Sequence, residues 1–396
     1  MDMVSIRAGT ACSPPPCDRV PPASMKVTGW VMVLVAMLAA LATMPRTARA
    51  AGSLVFMSGF ESSTAIGAAT NCFTSPSACW QSISGSDGTS GYSWPPQFWG
   101  TQNAYDNGGL FLAMADVAGV TSSTIGDYVS NRIMTVKGHA GSSSNQALFM
   151  QIIANPNGQN ELGTAATQDE LNFLPASENG DLYISYWIRF QPGMTENMTA
   201  LDTSVTGVAG NGGTWRNIFA LMTGSSPSVG DISPNNGDYR MAAYVLTGCP
   251  QELIDAMLSP CTGTNPNPGP FWEFIGDNVA GGGYSLVNHW VETNASVAVP
   301  DDGSWNKIEV FWHRSSGSDG RFWMAINGTQ LVDHSGPNMG ASSLPINRIL
   351  PAFLASGGYH PIYQWIDDMQ IWDGGFPPSS CTVGTDAWCD PPYASH

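Results

Sequence analysis

Alternating apolar and polar positions dominate the C-terminal third of the chain. Residues 305–314 and 321–326 place apolar side chains at every second position, and a third such run, 329–333, follows Asn327-Gly328. An Asn-Gly pair between two alternating runs is typical of a type I′ hairpin turn, because both central residues need a positive φ. The pattern therefore predicts three antiparallel strands joined by two turns.

The same alternation recurs along much of the remaining chain. It predicts strands over 53–61, 131–136, 147–153, 182–190, 215–222, 239–246, 271–275, 308–314, 322–326, 330–333, 349–354 and 362–372. Residues 62–106 and 191–214 are predicted as loops, the second with a short helical turn, and 251–258 as a small helix. Many short strands without helical periodicity favour an all-β, two-sheet antiparallel jelly-roll sandwich.

Strand parity separates the two faces of each predicted strand. A half-solvated sheet buries one row of side chains and exposes the other. By this parity Arg240 and Tyr244 point away from the core. The outward rows of the other strands are rich in aromatic and charged side chains: Tyr183, Trp187, Arg189, Lys307, Glu309, Phe311, His313, Arg321 and Trp323. Such a surface suits sugar recognition, and it also suits packing beneath a long loop.

The N-terminus resembles a targeting segment. Lys26 precedes an apolar run over 29–44 and Ala48-Arg49-Ala50 follows it, which is typical of a secretory signal peptide. The run is shorter than the roughly 20 apolar residues of a membrane span. We expect a misplaced start in residues 1–24, a signal peptide over 25–50, a jelly-roll domain over 51–374 and a Pro-rich tail over 375–396. The product is then secreted, extracellular or periplasmic, without a membrane partner after cleavage.

Six of the eight cysteines lie beyond residue 50 and form three local pairs along the chain. An even number in an exported protein indicates disulfides. The spacing favours the pairs 72–79, 249–261 and 381–389, which would staple long loops. A metal site is the alternative, but no pair has C-x-x-C spacing and no histidine lies near one.

The formal net charge of the chain is −17. So acidic a surface repels nucleic acid and anionic lipid. Beyond residue 50 the basic side chains are few: Arg132, Lys137, Arg189, Arg216, Arg240, Lys307, Arg314, Arg321 and Arg348. They suffice to neutralise one or two carboxylates of a glycan, and they are too few for a heavily sulfated chain.

Four segments resemble a known superfamily. They are 56–61, 182–190, the hairpin at Asn327-Gly328 and 363–372, and they are similar to the concanavalin A-like lectin/glucanase jelly rolls, most of all to secreted polysaccharide-lyase-like members. The resemblance covers most of 53–374. This fold carries lectins, glycosidases and lyases, so it implies no single reaction.

Signature motifs of two enzyme groups in the superfamily are absent. The Glu-x-Asp-x-x-Glu cluster of laminarinase-like glycosidases is missing, and the nearest acidic groups are Glu273 with Asp277, and Asp367 with Asp368. The Arg-x-Glu-Leu and Gln-x-His motifs of alginate lyases are also missing. The resemblance further implies a structural Ca²⁺ between the first and last strands, with Glu61 and Asp367 as ligands. The alternative for these two residues is a solvent-facing acidic pair.

A lyase must remove the proton α to a uronate carboxyl, protonate the leaving oxygen and neutralise the carboxylate. Parity and residue type nominate Arg240, Tyr244 and His313 for these roles, with His289 in reserve. The residues nominated for substrate binding are Tyr183, Trp187, Arg189, Trp215, Arg216, Lys307 and Trp323.

Three functions remain open at this point. The first is a secreted polysaccharide lyase that acts by β-elimination on a uronate-containing glycan. The second is a non-catalytic, lectin-like carbohydrate-binding protein, and the third is a glycoside hydrolase with an unrecognised carboxylate pair. In each case the expected partner is a polysaccharide, the expected state is a monomer, and no organic cofactor is implied.

Overall fold

Nineteen strands and one long α-helix lie in the part of the chain that the structure describes, and residues 253–254, within the predicted small helix, are helical as well. The structure is a computed structural model that describes residues 51–74, 77–94, 110–115, 121–139, 146–154, 167–173, 181–206, 214–223, 240–250, 253–254, 256–262, 269–277, 289–315, 317–338, 346–355 and 359–395. The predicted signal peptide over 25–50 and the extension over 1–24 lie outside these residues.

The strands are numbered along the chain. Their bounds are β1 Ser53–Ser58, β2 Ala65–Ile66, β3 Thr70–Thr74, β4 Ser77–Ser86, β5 Ser93–Trp94, β6 Leu110–Ala115, β7 Val129–Thr135, β8 Gln146–Ile152, β9 Thr167–Phe173, β10 Asp181–Phe190, β11 Thr214–Thr223, β12 Arg240–Thr247, β13 Phe271–Asp277, β14 His289–Asn294, β15 Trp305–His313, β16 Arg321–Ile326, β17 Thr329–Ser335, β18 Ile346–Ala355 and β19 Ile362–Asp373. The helix α1 spans Met194–Thr206, and Ile125–Asp127 form a 3₁₀ turn.

The strands form two antiparallel sheets. Sheet 1 has the order β17-β16-β15-β10-β19-β8-β7, and β1 also pairs with β19. Sheet 2 has the order β14-β13-β12-β11-β18-β9-β6-β4-β2, and β3 and β5 also pair with β4. The predicted two-sheet antiparallel sandwich is therefore confirmed.

The main hydrophobic core lies between the two sheets. Sheet 1 contributes the predicted inward rows of β10, β15 and β16, and sheet 2 contributes Met241, Ala243 and Val245 of β12. The inward residues of sheet 1 are Leu182, Ile184, Tyr186, Ile188, Phe190, Ile308, Val310, Trp312, Phe322, Met324 and Ile326. Burying one such large apolar side chain contributes roughly 1.5–3 kcal/mol. The parity assigned to these strands is thus confirmed.

Seven strands, β2 to β6 together with β9 and β14, occupy segments for which no strand was predicted. The segment 62–106, predicted as a loop, contains the ten-residue strand β4, and β6, β9 and β14 were also missed. In β9 the polar residues Asp169, Glu170 and Asn172 are buried, so the usual alternation is obscured. Asn131 on β7 donates a hydrogen bond of 2.8 Å to Asp169, which shows how a polar group is accommodated there.

The helix α1 replaces the short helical turn predicted within 191–214. The Thr195 N–H donates to Asp301 Oδ1 at 2.8 Å and the Thr195 hydroxyl donates to Oδ2 at 2.5 Å, so a distant aspartate satisfies the first turn. Met194 and Met198, one turn apart, are buried in the main core. Both contacts come from distant parts of the chain, and the local sequence does not reveal them.

Two of the three predicted disulfides are confirmed. Cys249 bonds to Cys261 and Cys381 bonds to Cys389. Cys79 is disulfide-bonded as well, and the side chain of its predicted partner Cys72 lies outside the described residues. No helix within the described ranges has the length and apolarity that crossing a membrane requires.

Candidate functional site

The outer face of sheet 1 is covered by the last residues of the chain. We call residues 375–395 the C-terminal strap. Phe376 packs on Phe311 at 4.1 Å between ring centroids, on Trp323 at 5.3 Å and on Tyr183 at 5.6 Å. Tyr183 and Trp323, both nominated for sugar binding, are fully buried beneath it. Their aromatic rings anchor the strap and are not available to a glycan.

The charged residues of this face also bind the strap. Lys307, another nominated sugar ligand, is buried and donates a hydrogen bond to the backbone carbonyl of Asp390. Its Nζ lies 3.6 Å from the centroid of the Tyr393 ring. Glu309 accepts hydrogen bonds from the Tyr183 hydroxyl at 2.9 Å and from the Ala394 N–H at 3.0 Å. Burial lowers the pKa of Lys307 and raises the pKa of Glu309.

Trp187 and Arg189 are also engaged within the protein. Trp187 stacks on His139 with 3.8 Å between ring centroids, and its indole N–H donates to Asp390. The Nε of Arg189 donates to the Gly303 carbonyl at 2.7 Å, and its guanidinium lies 4.8 Å from the ring centroid of Trp365. Arg189 is partly exposed, whereas Trp187 is buried.

Arg216 was nominated for the outer face, and the structure places it inside the sandwich. Its register partner on β12 is Val245, which faces the core, so Arg216 faces the core as well. Its Nη2 donates to the Tyr363 carbonyl of sheet 1 at 3.0 Å. Burial lowers its pKa to about 9. The parity assignment failed here because Arg216 occupies an inward position of β11 despite its charge.

The nominated catalytic trio is divided between the two sheets. Arg240 and Tyr244 lie on β12 in sheet 2, whereas His313 ends β15 in sheet 1. The Nδ1 of His313 bonds to Asp181, and its Nε2 lies 3.5 Å from an Asp319 carboxylate oxygen. Parity distinguishes the faces of one strand, but it does not say which sheet the strand joins.

Sheet 2 carries a row of polar side chains on its outer face. In the strand register Asn217 of β11 is opposite Tyr244 of β12, which is opposite Glu273 of β13. Side chains paired in this way have Cβ atoms about 4.5–5.5 Å apart. We call these three residues the Tyr244 row. They are 4%, 7% and 3% exposed, so all three side chains are buried on this face.

The surroundings of the Tyr244 row are apolar. Trp215, a nominated sugar ligand, lies edge-on to Tyr244 at 5.7 Å between ring centroids. The disulfide of Cys249 and Cys261 packs in the same hydrophobic cluster. The Oδ1 atom of Asn217 is buried and has no hydrogen-bond partner among the described residues. Since an unpaired buried polar atom is costly, this oxygen is a candidate ligand-binding atom.

A second row on the same outer face contains Arg240. His289 is opposite Asp277 in the register of β13 and β14, and Arg240 occupies the next register position beyond Met241–Gly276. The side chains of Arg240, Asp277 and His289 lie outside the described residues. This row lies four positions from the Tyr244 row, or about 13 Å along a strand. Sheet 2 thus brings the reserve histidine, and not His313, to the face of Tyr244.

Asn217 and Glu273 were not nominated from the sequence. In the sequence, Glu273 stands out only as an acidic residue that lacks glycosidase spacing, and no motif marks Asn217. The signal that could have identified them is the register: β11, β12 and β13 follow one another along the chain and pair in that order. Antiparallel pairing of consecutive strands would have aligned the three polar positions.

Of the two residues predicted to bind Ca²⁺, only Asp367 lies in a group of possible metal ligands among the described residues. Ligand atoms of His139, Asp367 and Asp368 all lie within 4.8 Å of one another, and Glu61 is not a member of this group. The Glu61 Oε1 atom instead accepts the Gln146 N–H at 3.2 Å. Calcium takes oxygen ligands, so the imidazole nitrogen does not fit the expected ion. The Ca²⁺ site at Glu61 and Asp367 stays a prediction.

The chain matches no protein-family model and no curated protein sequence. Among solved structures it is similar to an alginate lyase, with 14% identity over 72% of this chain and 96% of that chain and a TM-score of 0.36. An endo-β-1,4-glucuronan lyase from the fungus Trichoderma reesei matches at 11% identity over 62% of this chain and 90% of that chain, with a TM-score of 0.39. The receptor binding domain of botulinum neurotoxin D matches at 10% identity over 66% and 47%, with a TM-score of 0.30. Likenesses of this strength identify neither a substrate nor a reaction for this chain.

Proposed function

We propose that the protein is a polysaccharide lyase that cleaves a uronate-containing glycan by β-elimination on the outer face of sheet 2. The observation that carries the proposal is the Tyr244 row, in which a phenol is flanked in register by the amide of Asn217. A phenol can exchange a proton with the substrate, and an amide can bind the uronate carboxylate. These are two of the functions that β-elimination requires.

Tyr244 alone can act first as the base and then as the acid of the elimination. As phenolate it takes the proton from the carbon α to the uronate carboxyl, and the C–H electrons form the new carbon–carbon double bond. The bond to the leaving glycosidic oxygen breaks, and Tyr244, now a phenol, returns its proton to that oxygen. The NH₂ group of Asn217 donates a hydrogen bond to the carboxylate as negative charge develops there, and its unpaired Oδ1 accepts a hydrogen bond from a sugar hydroxyl.

Arg240 extends the site along the strand. It lies on the same face of β12 as Tyr244, four residues away, and the same parity applies to both. A guanidinium binds carboxylates in a bidentate manner, so Arg240 is assigned to a second uronate of the bound chain. His289 occupies the Arg240 row by register and is assigned to the same part of the substrate. His313 is not part of this proposal, since β15 belongs to sheet 1.

The first prediction concerns the phenol. Tyr244→Phe removes one hydroxyl and keeps the ring, so it should lower turnover about 10²–10⁴-fold, the usual contribution of a positioned acid or base. Turnover is measured as ultraviolet absorbance of the unsaturated uronate across a panel of polyuronates. The control is Tyr92→Phe, because Tyr92 packs edge-on against Phe56 of β1, away from β12. Full turnover in Tyr244→Phe would remove Tyr244 from the mechanism.

Other outcomes with the wild-type protein would favour the alternatives. Glycan binding without any product indicates a lectin-like protein. New reducing ends without an unsaturated sugar indicate a hydrolase. For that case Glu273 and Asp277 lie about 13 Å apart along β13 as backbone positions, and glycosidases use carboxyl groups about 5–9.5 Å apart.

We also propose that the protein is exported. Two disulfides, Cys249–Cys261 and Cys381–Cys389, support this, because disulfides persist mainly in oxidising compartments. Amino-terminal sequencing of the protein from the culture medium tests it, and the expected mature end follows Ala50. Retention of the whole protein inside the cell would contradict export.

A further inference from the structure

A histidine and two aspartates meet where β19 is irregular. The pairing of β19 with β10 shifts register between Ser185 and Trp187, and Asp367 is opposite Trp187. Asp368, the next residue, has a positive φ of 42°, so the two consecutive carboxylates do not alternate as in a regular strand. Their oxygen atoms and a ring nitrogen of His139 all lie within 4.8 Å of one another.

The imidazole of His139 is fixed from three sides. Its ring is stacked nearly parallel on Trp187, with an angle of 6° between the planes. Its Nε2 lies 2.7 Å from Asp368 Oδ2, and its Nδ1 lies 4.0 Å from Asp390 Oδ1. Metal-binding histidines commonly direct one nitrogen at the ion and the other at a carboxylate. In His139 the Nε2 atom faces the Asp368 carboxylate, and Nδ1 faces Asp390 of the strap at more than hydrogen-bond distance.

The charge of the cluster favours a cation. Asp367 is fully buried and Asp390 is partly buried. The ammonium of Lys307 lies 3.7 Å from the Asp390 carboxylate and so is directed to the outer aspartate. A divalent ion would offset the two negative charges.

The donor set selects the class of ion. Calcium and magnesium bind oxygen ligands, whereas imidazole together with carboxylates suits zinc and other first-row transition metals. The cluster therefore disagrees with the calcium expected from the superfamily resemblance. We infer that His139, Asp367 and Asp368 form a binding site for a divalent transition metal, which links β19 to the segment before β8 and, through Asp390, to the strap.

This inference does not depend on the proposed lyase activity. The cluster lies on sheet 1 and the Tyr244 row lies on the outer face of sheet 2. A structural ion at this position changes metal content and stability and takes no part in the elimination. The two proposals can therefore fail separately.

The chain offers a matched control for His139. His334 is stacked on Trp290 at 3.9 Å with 7° between the ring planes, and its Nδ1 lies 2.7 Å from Glu292 Oε1. Like His139, it therefore stacks on a tryptophan and has one ring nitrogen at hydrogen-bond distance from a carboxylate. It does not belong to any group of three or more metal-ligating side chains among the described residues. His334→Gln therefore removes a similar histidine without removing a metal site.

The test is Zn²⁺ binding by the full, tag-free chain after treatment with a chelator. Isothermal titration of the wild-type protein should give one Zn²⁺ per chain. His139→Gln should weaken it at least about tenfold, and His334→Gln should bind as the wild type does. X-ray absorption at the zinc edge should show imidazole scattering in the wild type. Asp367→Asn provides a second variant if His139→Gln does not fold.

Three outcomes would overturn the inference. The first is no stoichiometric Zn²⁺ uptake by the wild-type protein. The second is unchanged Zn²⁺ affinity in folded His139→Gln or Asp367→Asn. The third is tighter binding of Ca²⁺ than of Zn²⁺, which would indicate an oxygen-only site of the kind expected at Glu61 and Asp367.

Discussion

Glu309 faces outward from sheet 1 and is nevertheless only 1% exposed, because the strap covers it. The Tyr183 hydroxyl and the Ala394 N–H donate to its carboxylate, and Lys307 is a nearby positive charge. These contacts favour the ionised form, whereas burial favours the neutral form. Burial is the larger influence, so the pKa of Glu309 is raised from its ordinary value of 4.5.

The raised pKa of Glu309 predicts a pH dependence of stability. The folded protein holds this proton at pH values where the unfolded chain has lost it. The stability that the proton contributes is complete below about pH 4.5 and is lost as pH rises through the folded pKa. Glu309→Gln stays neutral, so its melting temperature should fall less than that of the wild type between pH 4.5 and neutrality. Exposed Glu196→Gln on α1 is the control, and identical pH profiles for wild type and Glu309→Gln would contradict the assignment.

At the residue scale the sequence predicted which way a side chain faces better than it predicted whether that side chain is buried. Met241, Ala243 and Val245 face the core as parity requires, and Tyr183, Lys307 and Trp323 face away from it. Parity tells only whether a side chain faces the core between the sheets. It could not show that the strap buries the side chains of Tyr183, Lys307 and Trp323. For Trp323 the structure supports packing beneath a long loop rather than sugar binding.

At the scale of elements, the strap is the feature that most changes the predicted site. Its disulfide between Cys381 and Cys389 closes a short loop, and Trp388 of that loop packs edge-on against Trp372 of β19 at 5.1 Å. The Trp388 carbonyl accepts the Gln370 side-chain N–H at 2.8 Å. The strap therefore acts as a third layer on sheet 1, and on sheet 2 the segment with Cys249, Leu253 and Cys261 packs beside Tyr244.

The anchor of this layer predicts a stability effect. Phe376 contacts three aromatic rings and is 7% exposed, so Phe376→Ala should destabilise the oxidised protein by about 3–5 kcal/mol. Phe376→Leu keeps much of the volume and should cost less than about 1.5 kcal/mol. Denaturant unfolding measures both changes. A loss below about 1 kcal/mol in Phe376→Ala would show that the strap is not held at this position.

The sequence predicted most strands and missed those whose pattern is irregular. Strands β10, β15 and β16 alternate cleanly, whereas β9 buries three polar side chains and four of the ten residues of β4 are serine. The sequence also did not assign strands to sheets, which is why His313 was grouped with Tyr244. Sheet order depends on pairing between distant segments, such as β10 with both β15 and β19, and local patterns do not contain it.

At the scale of the whole molecule, the two outer faces carry different sets of side chains. Sheet 1 carries the strap and the His139 cluster, and sheet 2 carries the Tyr244 row and the position of Arg240. On sheet 1 the side chains of Lys307, Glu309 and Gln370 form hydrogen bonds with the backbone of the strap. On sheet 2 the amide oxygen of Asn217 lacks such a partner among the described residues, which is why we place the substrate there.

The net charge of −17 predicts how salt acts on the proposed reaction. A polyuronate and this protein repel each other at long range, and raising the ionic strength from about 0.01 M to about 0.15 M shortens the Debye length from about 30 Å to about 8 Å. Screening should therefore lower KM for a polyuronate and leave kcat nearly unchanged, which initial rates at several salt concentrations would measure. Short oligouronates carry fewer charges and should show a smaller effect. A KM that rises with salt would mean instead that cations at the site, such as Arg240, outweigh the charge of the whole molecule, as in an electrostatically steered enzyme.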